Sequence, residues 1–183
     1  MTFEQDAAKS IAAFNRFSAP ALQKCFGNDA QIFSFENHNN RVEEILDTMA
    51  SIDGIIAVEG VAYFYSSRVQ FGTCYENFTL RGWRPSGATT EMAKLKRAAK
   101  IHAPMPTFTV QSFVDSDGLS ATVGVAKTID LIRYAENHNV EEKVTSTGER
   151  FFVIPWFELE RVKVYRVDAS GNVTEITATF TAA

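Results

Sequence analysis

Apolar residues recur with two different periods along this chain, and the change of period separates its helices from its strands. Phe3, Ala7, Ile11, Phe14 and Phe17 stand three or four residues apart, the spacing of one helix face, behind a capping-box pattern at Thr2-x-x-Gln5. Ser18-Ala19-Pro20 restarts a helix with proline in its first turn and Gly27 just past its end, and Leu22, Cys25 and Phe26 form its inner face. Residues 30–35 read as a short strand. Asn39 and Asn40 then cap a third helix over 41–49, with Val42, Ile45, Leu46 and Met49 as its stripe and Glu43 and Glu44 in its first turn, until Asp53-Gly54 stops it. Residues 55–58, 61–71 and 75–83 read as strands parted by Gly60 and Gly72. Thr89 or Thr90 caps a fourth helix that runs to about Ile101. Met92, Leu95 and Ala99 face inward there, and Lys94, Lys96, Arg97 and Lys100 make a solvated basic face.

A period of two takes over after Pro104 and Pro106. Residues 107–114, the turn Asp115-Ser116-Asp117-Gly118 and residues 119–126 predict one hairpin, because the Asp-Gly step suits a turn that needs a positive φ. Val162, Val164 and Arg166 alternate with Lys163, Tyr165 and Val167. The turn at 169–172 then leads into the Thr-rich, β-branched run 173–180, which predicts a second hairpin. Between them, residues 127–136 read either as the end of a long strand or as a helix. On a strand Asp130, Ile132 and Tyr134 share a face; on a helix Asp130 reaches Arg133 or Tyr134.

Composition narrows the class. One domain is expected over 1–183, with apolar residues at 45% of the chain and fifteen Phe that either fill a core or line a cavity. A net charge of −4 argues against nucleic acid as a partner. Cys25 and Cys74 fit no metal spacing and read as buried thiols of a reducing compartment. Met1-Thr-Phe-Glu-Gln-Asp lacks the basic start and apolar run of a signal peptide, and no stretch approaches the roughly 20 apolar residues of a membrane span. A cytoplasmic protein is expected. No His/Cys/Asp/Glu grouping has metal-ligand spacing, and no phosphate loop or nucleophile elbow is present, so metal, nucleotide and covalent chemistry are not expected and no cofactor is called for.

Three segments, in order, carry a resemblance. Residues 15–30 run helix, break, helix and then Cys25-Phe26-Gly27-Asn28-Asp29-Ala30 into a strand. Phe-Thr-Val-Gln-Ser-Phe-Val from Phe108, followed past Gly118 by Ala-Thr-Val-Gly-Val, is a central hairpin. Thr147-Gly148 through Phe180, with Val-Tyr-Arg-Val-Asp, Gly171 and Val-Thr-Glu-Ile, is a closing one. In this joint order they resemble the nuclear transport factor 2-like superfamily, which includes ketosteroid isomerases, scytalone dehydratase and SnoaL-like cyclases. The resemblance implies an α+β fold: a strongly bent antiparallel sheet wrapped around the N-terminal helices as a cone-shaped barrel. Residues of about 37–84 would be an inserted strand-rich elaboration. It also implies a conical, largely apolar pocket and a homodimer formed through the outer sheet face, an apolar patch of the kind that associates.

The catalytic groups of ketosteroid isomerases do not carry over. Their carboxylate base falls on Ser34 and their oxyanion-binding Tyr on Ser10, which speaks against that reaction. Glu36 stands two residues beyond Ser34, on the same strand face, with His38 after it. The pair could serve as base and acid at the mouth of a cone, or be solvated members of the polar run Glu36-Asn-His-Asn-Asn40. Asp130 and Tyr134 would orient or polarise a substrate, or form an ordinary surface cluster. The pocket would be lined by Phe14, Phe33, Tyr63, Phe113, Trp156 and Tyr165. Two functions follow as expectations. One is an enzyme performing acid–base isomerisation, dehydration or cyclisation on a small apolar molecule. The other is a non-catalytic ligand-binding or protein-interaction module, whose sign is a pocket plugged by the chain's own Phe side chains or an exposed aromatic patch from residues 55–83.

Overall fold

A computed structural model describes residues 3–35, 43, 45, 46 and 50–176. Glu36, His38 and Phe180 lie outside the described residues, as does most of the third helix expected over 41–49.

The N-terminal stripe forms one unbroken helical body rather than two helices. α1 (Phe3–Ala13) passes through a π-helical turn (Phe14–Ser18) into α2 (Ala19–Phe26). Pro20 explains the turn. Its ring has no N–H and would clash with the carbonyl of Arg16 one turn earlier in a regular helix, and a wider turn, in which the Ala19 N–H bonds to the Phe14 carbonyl, relieves the clash. Gly27, at φ 110, ends the helix.

The strands, in chain order, are β1 (Gln31–Ser34), β2 (Gly54–Val58), β3 (Val61–Phe71), β4 (Asn77–Trp83), β5 (Phe108–Val114), β6 (Ala121–Lys127), β7 (Glu142–Val144), β8 (Arg150–Pro155), β9 (Val162–Val167) and β10 (Val173–Ile176). Seven of them form a sheet in the order β1-β2-β3-β5-β6-β9-β10, and β4-β8-β7 form a second, smaller sheet. Both predicted hairpins exist and lie side by side, β5 with β6 and β9 with β10.

Three expectations need correcting. The large sheet is mixed, because β3 runs parallel to β5. It is open, with β1 and β10 as its edges, and does not close into a barrel. Phe151–Pro155 belongs to the second sheet, where β8 pairs with β4 from Asn77 to Trp83, and not with the closing hairpin. Within the stretch of about 37–84, Gly54–Val58 and Val61–Phe71 are strands of the main sheet and Asn77–Trp83 is a strand of the second.

Strand alternation sorts the side chains onto two faces, both of them covered. On one face Tyr65, Val110, Val114, Val123, Val125, Tyr165 and Val167 bury themselves under Phe14, Phe17 and Leu22 of the helical body. The Ser18 and Ser112 hydroxyls satisfy each other inside that apolar layer at 2.8 Å. On the other face Phe113, Ala126 and Val164 pack against Trp156, Phe78, Leu80 and Ile154, and against α3 (Glu91–Ile101) and α4 (Thr128–Asn137). Gly124 allows this second contact, since a Cβ there would lie 2.5 Å from the Trp156 ring. The second face of the sheet around β5, β6 and β9 is therefore occupied by the chain's own second layer. α3 starts where its sequence pattern placed it, with the Thr90 hydroxyl accepting from the Ala93 N–H at 3.3 Å.

Candidate functional site

The six aromatic residues expected to line one pocket are divided between environments. Phe14 and Tyr165 are buried under the helical body, where Phe14 stacks on Tyr65 with centroids 5.5 Å apart. Burial pushes the Tyr165 phenol far up, and the neighbouring Cys25 adds to the shift. Phe113 and Trp156 are buried on the opposite face of the sheet and contact each other edge-on at 5.8 Å. Tyr63 packs with Phe26 and Phe108 at the margin of the first face, and Phe33 is 49% exposed on the edge strand. A sheet stands between the two main groups, so they cannot surround one ligand. Cys25 and Cys74 are free thiols, only partly buried, and burial raises both.

Residues 127–136 resolve into a helix, and this brings Asp130 and Tyr134 together one turn apart. They line a surface groove of about 490 Å³ with Lys127, Arg133, His138 and Glu158. Tyr134 stacks on His138, centroids 4.2 Å apart, and burial and the Glu158 carboxylate both push its phenol up. Such a phenol holds its proton near neutral pH and can donate a hydrogen bond there. Asp130 makes an i,i+3 contact with Arg133 at 3.9 Å. Charges of both signs alternate around this groove, with no preference for a ligand of either sign.

A different cleft has a defined chemistry. It measures about 570 Å³ and opens where β3 outruns its neighbour, since β2 pairs only with residues 61–65. α1 borders it through Asp6, Lys9 and Ser10; β3 through Arg68, Val69, Gln70 and Phe71; and the second sheet through Asn77, Thr79, Lys143, Phe151 and Val153. Tyr75, 56% exposed, stands at the rim. Lys9 places its ammonium 3.8 Å from the centre of the Phe71 ring, and Lys143 lies 4.6 Å from that of Tyr75. Neither lysine is in an ion pair among the described residues. Arg68 differs, for it bonds at 2.9 Å to Glu91, whose carboxylate also accepts the Arg81 N–H at 3.2 Å. Burial raises the Glu91 carboxyl even against the opposing pull of Arg68, Lys94 and Arg84.

Asn77 and Thr79 bring polar groups to the second-sheet side of this cleft. Thr79 donates to the Gln111 carboxamide oxygen at 3.2 Å within a buried layer. The Gln111 Nε2 and the Asn77 Oδ1 have no partner among the described residues, and a buried polar atom left so costs about 1–3 kcal/mol. Sequence reasoning missed this site. Lys9 and Lys143 belong to a helix and a short strand far apart in the chain, and no local spacing links them. The one available signal was the aromatic density of residues 55–83.

No group of three or more His, Cys, Asp or Glu among the described residues could hold a metal ion. No helix among them is long and apolar enough to cross a membrane. Compared with family models, with curated proteins and with solved structures, the chain matches none.

Proposed function

We propose that this chain is a non-catalytic binding module and that the cleft between α1, β3 and the second sheet takes a ligand with negative charge. The observation that carries this is the pair Lys9 and Lys143, two cations without a carboxylate partner among the described residues, resting on aromatic rings at one cleft of a chain whose net charge is −4. A cation on an exposed ring is held by only about 0.5–1 kcal/mol, so an arriving anion can draw it away at small cost. The two half-exposed rings offer apolar surface to the rest of the ligand.

The arrangement implied by the resemblance to nuclear transport factor 2-like proteins fits this reading in one respect. A helical body crosses one face of a sheet that contains both hairpins. The hollow of such a cone would fall where Phe14, Phe17, Tyr65 and Tyr165 fill the space themselves, which is the sign expected of a binding or interaction module rather than a catalyst.

The test uses an anionic aromatic dye, anilinonaphthalene sulfonate, whose emission rises in an apolar site. Emission should rise with the native chain and with Phe33→Ala, and fall several-fold when Lys9→Gln and Lys143→Gln are combined. Equal emission from the native chain and the double variant overturns the assignment of the site.

A further inference from the structure

The ladder of β3 indicates what kind of ligand the cleft takes. In the parallel pairing with β5, the Phe64 carbonyl accepts from Thr107 N at 2.8 Å and Gly72 N donates to the Val114 carbonyl at 2.8 Å. Alternate residues of a strand point their peptide groups to opposite sides, so residues 64, 66, 68, 70 and 72 engage β5. The odd-numbered residues face the other way, and their bonds agree. The Tyr65 carbonyl accepts from Asp53 N at 2.9 Å, and Ser67 N donates to the Asp53 side chain at 2.6 Å. Beyond that point no strand among the described residues pairs with β3 on this side. Val69 and Phe71 thus present N–H and C=O groups along an open strand edge, and both residues line the cleft.

An unpaired edge of this kind is a template for another extended chain. Resting on the binding reading above, we propose that the ligand is a short acidic peptide segment that adds in extended conformation to β3 beyond Ser67, along residues 68–71. A six-residue segment spans roughly 20 Å, enough to run past both lysines' walls of the cleft. Each part of the cleft then has a role. Val69 and Phe71 supply main-chain hydrogen bonds, which fix the backbone without selecting sequence. Lys9 on the helix side and Lys143 on the second-sheet side receive carboxylates from side chains that alternate to the two faces of the added strand. Phe71 and Tyr75 cover the apolar residues between them. Charge selects an acidic segment over a basic one because the two lysines, Lys9 and Lys143, outnumber the single carboxylate of Asp6 among the side-chain charges of the cleft that have no ion-pair partner among the described residues.

Three peptides test this. The first is an acetylated and amidated hexapeptide alternating Glu with Val. The second replaces its Glu with Lys. The third keeps Glu and Val but carries N-methyl groups on alternate peptide nitrogens, with each of the two possible phases made. The acidic peptide should displace the dye and shift the backbone amide resonances of residues 67–71. The Lys peptide should bind about tenfold weaker or less, and one N-methyl phase should lose about tenfold while the other binds nearly as well, since only alternate N–H groups enter a ladder. If the dye binds the cleft but no peptide displaces it, or both N-methyl phases bind like the parent, strand addition is wrong and the binding reading stands. If dye binding ignores the two lysines, the binding reading fails and this inference with it. Shifts confined to β1 or β10 would place the peptide on the sheet's outer edges and also overturn the proposal.

Discussion

Under the helical body the seven-stranded sheet is packed shut, whereas at the far end of β3 the same sheet stands open. Both places are rich in aromatic rings, so ring content does not make the difference. Under the helix Phe14, Phe17, Tyr65 and Tyr165 are all within 2% of full burial, the Ser18 and Ser112 hydroxyls satisfy each other, the Tyr65 hydroxyl donates to the Phe33 carbonyl, and the Tyr165 hydroxyl has no hydrogen-bond partner among the described residues. At the cleft Phe71 and Tyr75 remain 41% and 56% exposed, lysines rather than apolar side chains cover them, and buried amide atoms of Asn77 and Gln111 lack partners. The closed region excludes charge and the cleft does not, and this contrast supports the proposed binding there rather than in the space where a cone's pocket would lie.

The sharpest way to break this comparison is to empty the closed side. Phe14→Ala removes a fully buried ring stacked on Tyr65 and should cost about 3–5 kcal/mol in urea unfolding. Dye affinity should be unchanged under conditions where the variant remains folded. Abolished dye binding in a folded Phe14→Ala chain would move the site back under the helix.

A smaller effect is expected from the polar network beside the cleft. Burial raises the Glu91 carboxyl above its ordinary value of 4.5, so the folded chain keeps that proton to a higher pH than the unfolded chain does. A raised pKa contributes stability fully below the unfolded value and loses it as the pH climbs through the folded one. The stability of the native chain minus that of Glu91→Gln should therefore fall as the pH rises above about 4, through the raised folded-state value, a difference in which all other carboxylates cancel. Urea unfolding of both proteins across that range measures it. A difference that grows with pH would mean that the bond to Arg68 outweighs burial, and that this side is as well compensated as the other.

Why one region was legible in the sequence and the other was not follows from the same contrast. Local rules found what local chemistry decides: the β5-β6 turn at Asp115–Gly118, the β9-β10 turn at Gly171, and the Thr90 cap with the length of α3. Alternation gives a strand its faces but not its partner, so Phe151–Pro155 read as part of the closing hairpin although β4 holds it. The same limit hid the parallel contact of β3 with β5, and the π-helical turn came from a clash one turn away from Pro20. Residues 127–136 fit both periods until packing chose the helix, with Leu131 and Ile132 buried against the second layer. Lys9 and Lys143 drew no reading from the sequence, because no local spacing links a residue of α1 to one of β7. Their shared cleft exists only once β2 stops short of β3's end.

The smallest stability effect is expected at the two residues on which the proposed binding rests. Lys9 and Lys143 are exposed, touch their rings from the solvent side and have no ion-pair partner among the described residues. Replacing both by Gln keeps much of each side chain's length and removes only the charge. Substitutions of this kind stay within about 0.5 kcal/mol each, so the double variant should unfold at nearly the same urea concentration as the native chain. Its loss of dye affinity would then be a loss of charge at the cleft and not of fold. Salt gives an independent check, because screening shortens the reach of exposed charges to about 10 Å at 0.1 M ionic strength. Dye affinity of the native chain should fall as salt rises, while that of the double variant should be weak and nearly flat. If the double variant instead unfolds at clearly lower urea, the two cations are structural, and the open end of β3 differs from the closed face in degree only.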